Sequence, residues 1–143
     1  MYYNPYEISK YSDKQLVDQI KKIIDQCDDT KDSVSALTDD VMRLTDVLYI
    51  YGELYTRAQK EYSLLKYENG IEETQIAYKK KAESKEKFPI TYFNTLAQQE
   101  MLDKKKSEID LQLNVNRLKY AYDATQEKIN ALKKKIDSKK YEY

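Results

Sequence analysis

The chain predicts an all-α fold, a long antiparallel helical hairpin of coiled-coil character with an additional N-terminal helical segment. Three observations point there. Two glycines and two prolines in 143 residues are too few for a sheet protein, which needs frequent turns. A seam of apolar residues repeats in alternating steps of four and three over much of the chain. A second such seam near the C-terminus mirrors the first.

Taken in order, "MYYNPYEISKYSDK" has neither the basic start nor the apolar stretch of a signal peptide, and residues 1–12 are expected as a flexible tail. Ser12, followed three residues later by Gln15, forms a capping-box pattern that opens the first helix. The first seam reads Leu16, Ile20, Ile23, Cys27, Thr30, Val34, Leu37, Val41, Leu44, Leu48, Tyr51, Tyr55, Ala58, Tyr62, Leu65. Thr30 is its one interruption. A 3.5-residue period sustained that long keeps one helix face on a partner.

The second seam reads Leu111, Val115, Leu118, Tyr122, Thr125, Ile129, Leu132, Ile136. Pairing Val41 with Ile136, Leu48 with Ile129, Tyr55 with Tyr122 and Tyr62 with Val115 gives index sums of 177, which centres the fold between Phe88 and Pro89. Pro89 selects that centre among those the repeat allows, because it disfavours helix at Phe88 and donates no helical hydrogen bond. Thr91 or Thr95 is then expected to cap the returning helix. Asn69-Gly70 is a competing turn signal, but Ile71, Tyr78 and Ala82 resume the helical spacing, so a helix passing through or kinking at Gly70 is preferred. The same register sets Asn69 opposite Glu108 and Glu72 opposite Lys104. One hairpin domain is expected over 13–137, with arms 13–87 and 91–137 and a C-terminal tail at 138–143.

Residues 16–37 have no second arm opposite them. Leu16, Ile20, Ile23, Val34 and Leu37 therefore form a candidate oligomerisation face, unless "DDTKDS" (28–33) breaks the helix and residues 13–27 fold back.

The chemistry of a catalytic site is sparse. There is no histidine, one cysteine and no glycine-rich phosphate loop, so no enzyme activity, metal or cofactor is expected. The clusters Asp28, Asp29, Asp32 and Asp39, Asp40 lack the glycine and terminal glutamate of a calcium loop. Cys27 falls on the seam as a small core residue. No apolar run approaches the length that spans a bilayer, and the expected compartment is the cytoplasm, a host's if the chain is phage-encoded. Residues 1–48 carry six basic and ten acidic groups, and residues 49–143 carry nineteen and fifteen, so the second half alone suits a polyanion.

That half contains "AYKKKAESKEKFPITYFNT" (77–95). Lys79, Lys80, Lys81, Lys85, Lys87, Lys104, Lys105 and Lys106 cluster about the fold point with Tyr78, Phe88, Tyr92 and Phe93 among them. Lysines neutralise phosphates and aromatic faces stack on unpaired bases, so the lysines, with Tyr78 and Tyr92 as stacking residues, form a candidate single-strand site. A solvated helix end with a packed turn would show the same composition.

The stretches "DDVMRLTDVLYIYGELYTRAQKEYSLLKYE", "AYKKKAESKEK" and "TYFNTLAQQEMLDKKKSEIDLQLNVNRLKYAYDATQEKINALKKKI" resemble the phage-type recombination mediators of the UvsY family over roughly residues 39–136. "YKKK" stands where that family carries a compact Lys-x-Arg element. The resemblance implies a helical homo-oligomer that binds single-stranded DNA without sequence preference and helps load a recombinase. Two other classes stay open. A coiled-coil scaffold or assembly protein needs only the seams. A prefoldin-like holdase needs strands at the helix junction, for which "FPITYF" is the lone candidate.

Overall fold

The computed structural model describes residues 4–27 and 32–141, and among these it is entirely helix and connection, without a strand. After a 3-10 turn (Pro5–Lys10) come α1 (Asp13–Gln26), α2 (Val34–Glu83), α3 (Ile90–Glu100) and α4 (Leu102–Lys140). The helices α2 and α4 pack extensively on one another as the hairpin requires. The chain divides into two compact units, one of Met1–Arg57 with Asn116–Tyr143 and one of Ala58–Val115.

In the first unit, α1 starts on the expected capping box. The Ser12 hydroxyl accepts from the Gln15 N–H at 3.2 Å, and the Gln15 side chain accepts from the Ser12 N–H at 2.9 Å. The helix carries one apolar stripe, and the chain itself covers it. Leu16, Ile20 and Ile23 are buried in a cluster with Val47, Ile50 and Leu54 of α2, and Ile8, Tyr11, Tyr51 and Leu118 pack against that cluster. Leu37 is buried as well and Val34 is half-buried. The face proposed for oligomerisation is thus corrected to an intrachain core: residues 13–26 fold back. Burying each large aliphatic side chain is worth about 1.5–3 kcal/mol, and α2 supplies the surface for it.

That packing explains why α2 buries more than one seam. Val47, Ile50 and Leu54, spaced by three and four, lie beside the seam positions Leu44, Leu48 and Tyr51. The seam residues Leu44, Ile129 and Ile136 are buried as expected. Tyr55 and Tyr122 line one groove together with Gly52, and a Cβ at Gly52 would lie 3.7 Å from the Tyr122 ring.

The flexible tail expected over residues 1–12 is also corrected for residues 4–12, while residues 1–3 lie outside the described residues. Asn4 caps the 3-10 turn by accepting from the Tyr6 N–H, with Pro5 at the first position. Arg57 of α2 then ties this turn down. Its guanidinium donates to the carbonyls of Ile8 (3.2 Å), Ser9 (3.3 Å) and Tyr11 (2.7 Å), and to the carboxylates of Asp13 (3.0 Å) and Glu53 (3.0 Å). Cys27 is the half-buried C-cap of α1. Asp28, Asp29 and Thr30 lie outside the described residues. Ser33 opens α2 by accepting from the Ala36 N–H at 3.1 Å, and Asp32 pairs with Lys135 (3.2 Å) and Lys139 (2.8 Å) near the end of α4.

In the second unit α2 continues through Gly70 without interruption and ends at Glu83, four residues short of the expected end of the arm. Ser84 folds the turn on itself, its hydroxyl accepting from the Glu86 N–H and donating to the Glu86 carbonyl. Pro89, extended at φ −68° and ψ 154°, stands at the N-cap of α3 with no side-chain cap. Thr91 and Thr95 are therefore not caps. They lie inside α3, where the Thr95 hydroxyl bonds back to the Thr91 carbonyl. Met101 breaks the return arm locally, with φ −89° and ψ 3°, so that α4 begins at Leu102. It runs to Lys140, three residues into the expected C-terminal tail.

Candidate functional site: the hairpin turn

The turn between α2 and α3 is closed by Phe93. This ring is 3% exposed and packs with Ala77 and Ala97, while Ile76, Ile90 and Leu96 cover the rest. Two alanines facing one phenylalanine let the arms approach closely, and the ring fills the space between them. Phe88 and Tyr92 cannot enter that small core. They stack outside it, with ring centroids 4.6 Å apart and tilted by 37°, and Tyr92 meets Phe93 edge-on at 5.3 Å. Phe88 is 41% and Tyr92 45% exposed, so each offers part of a ring to solvent. Tyr78, in the last turns of α2, is 61% exposed.

The expected lysines fall into two groups. Lys80 pairs with Glu100 at 3.2 Å, Lys104 with Glu72, and Lys105 with Glu73 at 2.7 Å. These three join α2 to the returning helices, and the Lys104 pair follows the register read from the seams. Lys106 reaches Asp103 of its own helix at 3.7 Å. Their charge is met within the protein. Lys79, Lys81, Lys85 and Lys87 are exposed and make no ion pair among the described residues. Lys85 and Lys87 belong to the turn rather than to the arm.

Helical geometry restricts what the free group can hold. Lys79 and Lys81 are two positions apart, about 200° around the axis, so they face different sides. Tyr78 and Lys81, three apart, share a side. Glu83 and Glu86 lie among the four lysines, which leaves a modestly basic turn. Phe88 is the ring passed over in favour of the tyrosines as a stacking residue, and it stands beside Tyr92 outside the small core.

Asn69 is a second feature of the unit. It is 4% exposed on the inner face, and its amide donates to the Lys104 carbonyl at 3.3 Å, one turn from the expected contact with Glu108. Elsewhere, in the first unit, Tyr6, Ile8, Asp46, Tyr49 and Glu53 line a shallow groove in which burial pushes the Asp46 carboxyl above its usual range. No three His, Cys, Asp or Glu side chains come close enough to hold a metal among the described residues, and no described helix is long and apolar enough to cross a membrane.

Fold and site together define an all-α chain with a modestly basic, aromatic-bearing hairpin turn. Comparison with protein-family models, with curated proteins and with solved structures finds no match for the chain.

Proposed function

We propose that this protein is a non-enzymatic single-stranded-DNA-binding protein that helps load a recombinase onto the strand it holds. The observation that carries DNA binding is the Phe88–Tyr92 pair, two partly exposed rings on a turn whose preceding residues include the exposed Lys79, Lys81, Lys85 and Lys87. Rings of this kind stack on unpaired bases of any identity, and unpaired lysines exchange condensed counterions for phosphate contacts. The loading role rests on the resemblance of residues 39–136 to recombination mediators. Lys80, Lys104 and Lys105 act in this proposal as ties between the arms rather than as phosphate contacts.

Fluorescence anisotropy with a labelled oligonucleotide of about thirty nucleotides, over a salt series starting near 50 mM, tests it. Wild-type binding should weaken with salt. Changing Lys79, Lys81, Lys85 and Lys87 to Gln should flatten the slope by about 0.7 for each phosphate that is no longer neutralised. Changing Lys80, Lys104 and Lys105 should leave the slope nearly intact. Absence of salt-dependent binding by the wild type would refute the proposal.

A second reading, an oligomeric assembly protein, is favoured by a different observation. Leu102, Ile109 and Leu113 are 58%, 54% and 47% exposed on α4, at steps of seven and four. That spacing sets them in one line on the helix, a seam suited to another helix. A larger mass by light scattering without DNA binding would select it.

A further inference from the structure

Gly70 lies in the interior of α2, and no described residue requires a glycine there. No glycine has positive φ among the described residues, and a Cβ on Gly70 would meet no described atom within 4 Å beyond its chain neighbours and the local helix backbone. Glycine is a poor helix former, so its presence in open helix asks for a reason outside the helix. A shallow groove runs along this face of the helix, lined by Tyr62, Lys66, Tyr67, Gly70, Ile71 and Thr74 among others. Tyr67 is 68% exposed. Lys66 is the one charged residue among the described lining residues. Its ammonium stands 5.8 Å from the centre of the Tyr62 ring, and no carboxylate pairs with it among the described residues.

We propose that this groove is a stacking site for a base of single-stranded nucleic acid. The inference rests on the DNA-binding proposal and extends it from the turn along α2. Tyr67 presents its ring to the base. Gly70 lets the base come close to the helix backbone, as a position without a Cβ permits. Lys66 meets an adjacent phosphate, and the lining is otherwise neutral, which suits a polyanion better than a basic peptide. Tyr67 and Tyr78 are eleven residues apart, three turns and about 20°, so they share one side of α2 at a separation of ~16 Å. That distance is about five base steps at ~3.4 Å each, so one short strand reaches from the groove to the turn.

Affinities for a thirty-nucleotide oligothymidylate and for an abasic strand of equal length test the inference, measured for wild type, Gly70→Leu and Tyr67→Ala. Both variants should bind oligothymidylate about five- to 150-fold more weakly, the range that removal of one stacked base–ring pair covers. They should keep the wild-type salt slope and the wild-type affinity for the abasic strand. Circular dichroism of Gly70→Leu, with Gly70→Ala beside it, should show the helix intact, since the added atoms enter open space. If the wild type binds and Gly70→Leu binds equally well, the groove is overturned while the turn remains the site. If the wild type binds neither strand, both proposals fall. If Gly70→Leu keeps its DNA affinity but lowers the mass by light scattering, the groove is a contact between copies, and the inference is again overturned.

Discussion

Arg57→Ala removes a side chain that hydrogen-bonds the N-terminal turn, the start of α1 and its own helix at once. The structure gives the size of the loss. Five hydrogen bonds disappear, three to carbonyls of Ile8, Ser9 and Tyr11 and two to the carboxylates of Asp13 and Glu53. The Arg57 side chain is only 26% exposed, so its bonds are partly shielded from solvent. Bonds from a charged donor contribute about 1.5–3 kcal/mol each at best. The Asp13 pair belongs near the surface value of about 0–1 kcal/mol, because that carboxylate is mostly exposed. The Ser9 carbonyl is exposed and can turn to water. Allowing for both, the substitution should destabilise the first unit by about 2–4 kcal/mol. For a chain of this size that lowers the melting temperature by roughly 5–15 °C.

Urea and thermal unfolding followed by far-ultraviolet circular dichroism measure the total, and amide exchange locates it. Exchange should accelerate first at Tyr11, whose N–H bonds to the Ile8 carbonyl, and then through α1. Arg57→Lys should recover little, because a single ammonium cannot span acceptors arranged around a planar fork. A variant within about 0.5 kcal/mol of wild type, with unchanged exchange over residues 8–23, would show that burial of Leu16, Ile20 and Ile23 holds the segment without the arginine.

Two further predictions concern a surface carboxylate and a buried amide. Hydrogen bonding to Lys139 first, and to Lys135 second, holds the Asp32 carboxyl below the usual carboxylate range. Its stabilisation is therefore fully present above the ordinary aspartate pKa and is lost as pH falls through the lowered one. Amide exchange over residues 132–140 should rise through that acidic window in the wild type, and in Asp32→Asn it should be high already at neutral pH. Asn69→Leu should raise the melting temperature or leave it unchanged, since the Lys104 carbonyl lies within α4 and keeps a helical partner, whereas Asn69→Asp should lower it by burying a charge among carbonyl oxygens.

The parts of the fold written as local pattern were legible in the chain. Ser12 with Gln15 specifies a helix start by its own chemistry, and Pro89 denies helix to Phe88, so both features are where the sequence places them. The mirror of the seams fixed the register well enough to bring Glu72 to Lys104. What failed to show was which neighbour covers a stripe. Leu16, Ile20 and Ile23 gain the same burial against another subunit as against Val47, Ile50 and Leu54 of the same chain, and periodicity cannot separate the two. The second stripe of α2 becomes visible only once α2 is known to have two neighbours. Lysine counting misled for a related reason. A count gives the charge near the turn, but pairing across the arms decides how much of it remains available. The register that matched Lys104 to Glu72 also brings Lys105 to Glu73, and Lys80 reaches Glu100 nearby.

That pairing has a consequence for any salt titration of DNA binding. The Lys80, Lys104 and Lys105 pairs lie across the arms of the second unit and are partly exposed, so each contributes at most about 1 kcal/mol and weakens as salt rises. The small apolar core of Ala77, Phe93 and Ala97 is insensitive to that screening. Under the proposed DNA binding, salt would act on two things together, the phosphate contacts of the free lysines and the ties between the arms that carry the rings of Phe88 and Tyr92. If loosening of the arms dominated, replacing Lys80, Lys104 and Lys105 by Gln would reproduce at low salt the affinity that the wild type shows at high salt. If phosphate contacts dominate, those replacements leave the slope intact and only the free group alters it. The two lysine groups thus separate screening of the ligand from screening of the fold, a distinction that the position of each lysine in the sequence does not make.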